Sequence, residues 1–185
     1  MITGIDLLIR RIFPASPEWI WEMWTTPDGI SAWWAPDGFT TAVDRLDLRV
    51  GGSLDYTMTA VGPEQIAFML RSGLPLTTRA HKEFTEVEAT HRLAYSSLVD
   101  FVPGVAPYQH RTVVSLEATT GGTAVEMWVD PLHDREWTER IASGRATELD
   151  TLMGLALTRF VCALTWSPCG VMSQDIGDSS VSGHR

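Results

Sequence analysis

Acidic and imidazole side chains are concentrated on one predicted strand, Thr77 to Ala89. Because successive side chains of a strand point to opposite faces, His81, Glu83 and Thr85 share one face. A carboxylate that faces inward beside a histidine or a tyrosine could serve as a general acid or base. The candidates for that role are Glu83, His81, Tyr56 and Tyr95. The simpler interpretation, which we favour, is a solvated acidic outer face, so we assign no catalytic residue.

Two histidine pairs, His110-Arg111 and His133-Asp134, could be fragments of a metal site. A catalytic zinc site needs three convergent ligands, and neither pair has an evident third. We therefore predict surface histidines near turns and no bound metal. The sequence contains no GxSxG, P-loop, GxGxxG or HExxH motif, so it predicts no cofactor.

The charge and hydropathy of the chain exclude several classes of protein. Its 185 residues carry a formal net charge of -9 and lack the basic patch of a nucleic-acid binder. No run approaches the ~20 apolar residues that span a bilayer. The first residues, MITGIDLLIRR, place both arginines after a short apolar run, unlike a signal peptide. The sequence therefore predicts a cytoplasmic protein with no nucleic-acid partner and no membrane insertion.

The elements that must position these side chains follow from periodicity and turn signals. Ser16 is a good N-cap for a first short helix, and a second one carries Trp33 and Trp34. The stretch between Val99 and His110 is rich in proline and glycine and is predicted to be irregular. The predicted strands are Ile5 to Phe13, Thr40 to Leu48, Ser53 to Ala60, Thr77 to Ala89, Arg92 to Val99, Thr112 to Thr119 and Thr123 to Asp130.

One long helix, Asp134 to Leu164, is predicted to follow the strands, with a break near Gly144. A shorter helical segment, Glu64 to Arg71, interrupts the strands. The order is therefore strand, two short helices, antiparallel strands and a long helix, which is an α+β architecture. We expect one domain over residues 1–166 and a polar, disordered tail over residues 167–185.

Three motifs resemble a known family. They are Trp24-Thr25-Thr26-Pro27, the segment ISAWWAPDGF at positions 30–39, and Asp47-Leu48-Arg49-Val50-Gly51-Gly52. This combination is similar to the AHSA1-like branch of the START/Bet v 1-like (SRPBCC) superfamily, named after the activator of the Hsp90 ATPase. Two positions depart from the family pattern. Ala35 replaces a usual glycine, and Arg145-Ala146 follows Gly144 where a Gly-Trp pair is common, which would alter the size or polarity of the cavity that the family implies.

The resemblance implies the helix-grip fold, in which a curved antiparallel sheet wraps the long C-terminal helix. A bent sheet and a straight helix cannot touch along their whole length, so a cavity between them is expected. Aromatic and methionine side chains suit a plastic apolar pocket. The residues expected to bind the ligand are Trp34, Tyr56, Met58, Phe84, Tyr95, Phe101, Tyr108, Met127, Leu149, Leu152 and Met153.

The function that the resemblance implies first is binding of a small hydrophobic ligand, such as a lipid, a polyketide or an aromatic metabolite. One alternative is an enzyme of the cyclase, dehydratase or hydrolase kind that uses the same cavity. Another is an interaction module that stimulates a chaperone ATPase. Exposed edge strands could also pair two copies of the chain as a homodimer.

Overall fold

The computed structural model describes residues 7–100 and 104–165. Within these residues the chain forms strands and helices in the predicted order. The elements are β1 (Leu7–Phe13), α1 (Pro17–Thr25), α2 (Pro27–Trp33), β2 (Phe39–Leu46), β3 (Ser53–Ala60), α3 (Pro63–Arg71), β4 (Thr77–Glu88), β5 (Arg92–Val99), β6 (Tyr108–Thr119), β7 (Gly122–Val129) and α4 (Arg135–Thr165).

The strands of the described residues form one seven-stranded antiparallel sheet in the order β1-β7-β6-β5-β4-β3-β2, so β1 and β2 are its edges. Register shifts interrupt the pairing between Val43 and Arg45 in β2 and between Phe84 and Glu86 in β4. Such bulges bend a sheet and increase its twist. They therefore help to curve the sheet around the helix that follows it.

The two short helices are capped by the residues that precede their prolines. The Ser16 hydroxyl accepts a hydrogen bond from the backbone of Trp19, and the Thr26 hydroxyl accepts one from Gly29. The Trp33 indole donates a buried hydrogen bond of 2.8 Å to the carbonyl oxygen of Met23. This bond joins α2 to α1.

The turn between β2 and β3 belongs to the Asp-x-Arg-x-Gly-Gly motif. The Arg49 guanidinium contacts the Asp47 carboxylate, with Nη2 and Oδ2 3.0 Å apart. Gly51 adopts a φ of +75°, which favours glycine. Its N–H donates to the Phe84 carbonyl (2.8 Å), and the Phe84 N–H donates to the Gly52 carbonyl (2.9 Å). The turn therefore binds directly to β4.

The long helix α4 begins after Asp134, whose carboxylate accepts a hydrogen bond of 2.8 Å from the Trp137 N–H. Its buried side chains Leu149, Leu152 and Ala156 belong to the core that the inner face of the sheet also forms. The α4 backbone approaches β1 and α2 most closely and stands further from the middle strands. The space over those strands is therefore spanned by side chains.

Two predicted boundaries were wrong. The strand β6 begins at Tyr108, inside the stretch expected to be irregular, because residues 108–110 pair with residues 97–99 of β5. The long helix continues through Gly144 without the expected break, since one glycine in a helix interior costs only about 1 kcal/mol. Phe101 and the predicted tail, residues 167–185, lie outside the described residues.

Candidate functional site

The alternation of β4 places a lysine inside the protein. His81 and Glu83 point outward, so Lys82 and Phe84 point to the concave face of the sheet. The Lys82 side chain is among the buried residues, with only 5% of the residue exposed. A buried lysine is unusual, because desolvation of an ammonium group costs free energy unless partners compensate.

Other polar side chains of the middle strands and of α4 surround this lysine. Cross-strand pairing brings Tyr95 opposite Thr112, and Ser97 opposite His110, on the same inner face. From α4, Arg145 faces the sheet with 8% of the residue exposed. We call this set the inner polar cluster. It comprises Tyr56, Lys82, Tyr95, Ser97, His110, Thr112, Arg145 and Glu148.

The Lys82 ammonium is enclosed by one hydroxyl and three aromatic rings. Its Nζ donates to the Ser97 hydroxyl at 3.0 Å. The same nitrogen lies 5.0 Å from the ring centre of Tyr95, 5.8 Å from that of Trp34 and 5.9 Å from that of Tyr56. Cation–π attraction of this kind partly compensates for lost hydration. Burial, together with the Arg145 charge, still lowers the pKa of Lys82 to about 7.

Arg145 and Glu148 form a buried ion pair one turn apart on α4. Arg145 Nη1 lies 2.6 Å from Glu148 Oε2, and the two side chains are only 10% and 12% exposed. The guanidinium carbon also lies 5.9 Å from the Trp34 ring centre. Arg145 and Lys82 therefore both lie beside the same indole, and Glu148, which contacts Arg145, acts on Lys82 only through its charge.

Several polar atoms of the inner polar cluster make no hydrogen bond with any described residue. They are the Tyr95 hydroxyl, the Thr112 hydroxyl and Nε of Arg145. Tyr95 and Thr112 are cross-strand neighbours, and the Thr112 hydroxyl lies close enough to the Tyr95 phenol to lower its pKa slightly against the effect of burial. Burial raises the pKa of the Tyr95 phenol, so it remains a neutral O–H donor. Unsatisfied buried donors are costly, and these belong to side chains of β5, β6 and α4.

His110 corrects one prediction, because it is buried rather than at the surface. Its Nε2 lies 2.9 Å from the Asp130 carbonyl oxygen, which can only accept, so Nε2 carries the hydrogen. Burial lowers the pKa of His110 below its usual value, and Arg145 and Lys82 lower it further against the effect of Asp130. In the second histidine pair of the sequence, the His133 Nδ1 atom lies 3.0 Å from the Tyr108 hydroxyl oxygen.

The four catalytic candidates from the sequence do not come together. Tyr56 and Tyr95 belong to the inner polar cluster, whereas His81 and Glu83 are exposed on the outer face. There, His81 Nδ1 lies 2.5 Å from Asp55 Oδ1, and this hydrogen bond lowers the pKa of Asp55. The pair lies in an open surface cleft of about 550 Å³.

The predicted ligand-binding residues fall into two groups. Trp34, Tyr56, Phe84, Tyr95, Met127, Leu149 and Leu152 are buried. Met58 and Met153 are partly buried against the core, and Tyr108 is half-buried. The Trp34 ring centre lies 5.6 Å from that of Tyr95 and 6.2 Å from that of Tyr56. Trp34 therefore packs beside two members of the inner polar cluster.

Sequence reasoning missed both Lys82 and Glu148, although the signal for Lys82 was present. Phe84 was predicted to face inward and His81 and Glu83 to share the opposite face, which places Lys82 inward. Arg145 was singled out only as a departure that changes polarity. Chemically, the cluster can bind an anion and can accept or donate a proton near neutral pH.

Two further properties concern the described residues as a whole. Within residues 7–100 and 104–165, no three histidine, cysteine or acidic side chains converge as metal ligands. None of the helices in that part of the chain is long and apolar enough to span a membrane.

Comparison with known proteins identifies the family. A search of curated proteins finds no match. A crystal structure from Chromobacterium violaceum superimposes with a TM-score of 0.65 at 20% identity, covering 82% of this chain and 96% of its own. The NMR structure of an AHSA1-like protein from Aeromonas hydrophila gives 0.62 at 24%, covering 86% and 94%. A crystal structure from Rhodobacter sphaeroides gives 0.62 at 26%, covering 86% and 93%.

These similarities confirm the helix-grip architecture that the resemblance implied. The family model for "Activator of Hsp90 ATPase homolog 1-like protein" matches residues 14–155, which include all three sequence motifs, the sheet from β2 to β7 and most of α4. The chain therefore belongs to the AHSA1 family of the SRPBCC superfamily.

Proposed function

We propose that the protein binds a small, largely hydrophobic molecule between the middle strands of the sheet and α4. The observation that carries this proposal is the set of buried, unsatisfied polar atoms on Tyr95, Thr112 and Arg145. Native interiors rarely leave such groups without a partner. A ligand with a polar group would complete their hydrogen bonds.

The surroundings of these atoms suit the apolar part of the same molecule. The rings of Trp34, Tyr56 and Tyr95 supply flat contact surfaces, and Leu149 and Leu152 supply aliphatic ones from α4. Ligand sites typically combine such apolar walls with a few well-placed polar groups.

Thermal denaturation in the presence of a ligand panel tests the proposal. The panel contains fatty acids, aromatic acids, flavonoids and small polyketides, and each is added to the intact chain. A molecule that binds only the folded state raises the melting temperature in proportion to the logarithm of its concentration. Extraction of the natively purified protein, followed by mass spectrometry, identifies any molecule that co-purifies. A panel without any thermal shift, together with an empty extract, would contradict the proposal.

A matched pair of variants locates the site. Ser97 lies on the inner face beside Lys82, whereas the adjacent Ser96 pairs with Glu83 on the outer face. Ser97→Leu places three more carbon atoms over the inner polar cluster and should abolish the ligand-induced thermal shift. Ser96→Leu should retain it. Equal shifts in both variants would place the ligand elsewhere.

A second candidate function is catalysis of the cyclase, dehydratase or hydrolase kind. The observation that favours it is the pKa of Lys82, about 7, which suits a general acid or base at physiological pH. The test is incubation of the co-purifying or thermally selected ligand with the protein, followed by product analysis. Turnover that Lys82→Met abolishes while ligand binding persists would support an enzyme. An unchanged ligand would support a carrier.

A further inference from the structure

We propose that the ligand of the inner polar cluster is a flat aromatic carboxylate, with its carboxylate bound by Lys82 and Arg145 and its ring against Trp34. This inference rests on the ligand-binding function proposed above and specifies the charge and shape of the molecule.

The charge balance of the inner polar cluster favours an anionic ligand. Within residues 7–100 and 104–165, the cluster contains two cationic side chains, Lys82 and Arg145, but one carboxylate, Glu148. Glu148 makes its hydrogen bond to Arg145 at 2.6 Å. A protonated Lys82 therefore leaves one positive charge without a buried counter-ion. A monoanionic ligand would neutralise that charge, whereas a neutral or cationic one would not.

The hydrogen-bond donors of the inner polar cluster favour a ligand group that only accepts hydrogen bonds. Lys82 has three N–H donors, of which one reaches Ser97, and Nε of Arg145 makes no hydrogen bond. The Tyr95 and Thr112 hydroxyls are available as well. Together these donors come from three neighbouring strands of the sheet and from α4. A carboxylate offers acceptors only, so it matches this set better than an alcohol or an amine would.

The aromatic rings beside the two cations favour a ligand that carries an aromatic ring. Both cations lie within 5.9 Å of the Trp34 ring centre, and the ring centres of Tyr56 and Tyr95 lie 6.2 Å and 5.6 Å from it. Aromatic pairs prefer tilted or offset contact, which these rings offer to a further ring. An aryl group attached directly to the carboxylate would therefore contact the indole while its charge meets the cations.

Proton uptake on binding follows from the groups that face Lys82. These are Arg145 and Glu148 on α4, Tyr56 on β3, Tyr95 on β5 and His110 on β6. In the free protein at pH 8, most Lys82 side chains are neutral, because their pKa is about 7. A bound carboxylate would hold Lys82 protonated, so each binding event should take up close to one proton.

The test compares naphthalene-2-carboxylate with naphthalene-2-carboxamide, which has nearly the same shape without the charge. Isothermal titration at pH 8 in two buffers with different ionisation enthalpies gives both the affinity and the protons taken up. The carboxylate should bind about tenfold to a hundredfold more tightly, as expected for a charge-assisted hydrogen bond. Its binding should take up close to one proton, and that of the carboxamide none.

Lys82→Met separates this lysine from the other titratable groups. It should reduce the preference for the carboxylate to less than about threefold and abolish proton uptake, whereas the outer-face control Arg79→Met should change neither. Proton uptake that persists in Lys82→Met would assign the proton to His110 and overturn the role of Lys82.

Two other outcomes would overturn the inference without touching the proposed function. One is equal affinity for the two probes. The other is binding of neither probe while another member of the thermal-shift panel raises the melting temperature. The proposed function fails only when the whole panel and the extract are negative.

Discussion

Replacement of Lys82 by methionine should make the ligand-free protein more stable at neutral pH. The lysine is 5% exposed, and its pKa falls from 10.5 to about 7 on folding. The folded state therefore opposes protonation of a group that the unfolded chain protonates readily. Methionine has a similar length and no charge, so it removes this opposition.

The magnitude follows from the two pKa values. Each pKa difference of one corresponds to about 1.4 kcal/mol, so the buried charge costs about 5 kcal/mol at pH 6. Between the two pKa values the unfolded chain binds more protons, and stability rises with pH. By pH 9 the remaining cost is about 2 kcal/mol. The advantage of Lys82→Met over the wild type should therefore shrink by about 3 kcal/mol from pH 6 to pH 9.

Urea denaturation at half-unit steps from pH 6 to pH 9 measures this difference directly. The lost Ser97 hydrogen bond lowers the whole curve for the variant, whereas the cation–π attraction acts only on the charged form of Lys82 and is already included in its folded-state pKa. Arg79→Met, on the outer face of the same strand, should leave the difference from the wild type flat. A pH-independent difference for Lys82→Met would refute the reasoning.

Three further predictions concern other contacts in the structure. Glu148→Gln removes the buried partner of Arg145 and should lower the free energy of unfolding by about 3 kcal/mol. Glu139→Gln, on the exposed face of α4, should change it little. Equal effects of the two variants would contradict a stabilising role for the buried Arg145–Glu148 ion pair. Gly52→Ala places a Cβ 2.1 Å from a backbone oxygen of its own turn and should cost about 2–3 kcal/mol in urea denaturation; an unaltered midpoint would be evidence against that packing. The His110 imidazole should titrate below its usual pKa when followed by NMR. The free energy of unfolding should fall as the pH drops through about 6.5, because the unfolded chain then binds a proton that the folded chain does not. An NMR titration midpoint of His110 above about 6.5 would be inconsistent with its burial.

Much of the fold was predictable because it depends on local signals. Ser16 and Thr26 precede prolines at helix starts, and glycine turns separate the strands, so element order follows from the sequence. The start of β6 was not predictable in this way. Residues 108–110 look irregular alone, and they become a strand only because β5 offers a pairing partner. Tertiary hydrogen bonds overrode local preference there.

The candidate site was predicted only in its apolar part. The aromatic residues Trp34, Tyr56 and Tyr95 stood out by type, and the structure buries them together. Lys82 did not stand out, because a lysine in a strand normally lies at the surface. Its position followed from the alternation around Phe84. Arg145 required the three-dimensional partner Glu148, which only the packing of α4 makes visible.

The attachment of the Gly51-Gly52 turn to β4 has a consequence for the sign of the interior charge. The two hydrogen bonds between this turn and Phe84 hold β4 in one frame relative to its neighbours. A slip of one residue would turn every side chain of that strand to the opposite side. Glu83 would then enter where Lys82 now lies, and an acceptor-rich interior would replace a donor-rich one. The two glycines of this turn thus help to determine the sign of the charge that the protein interior contains.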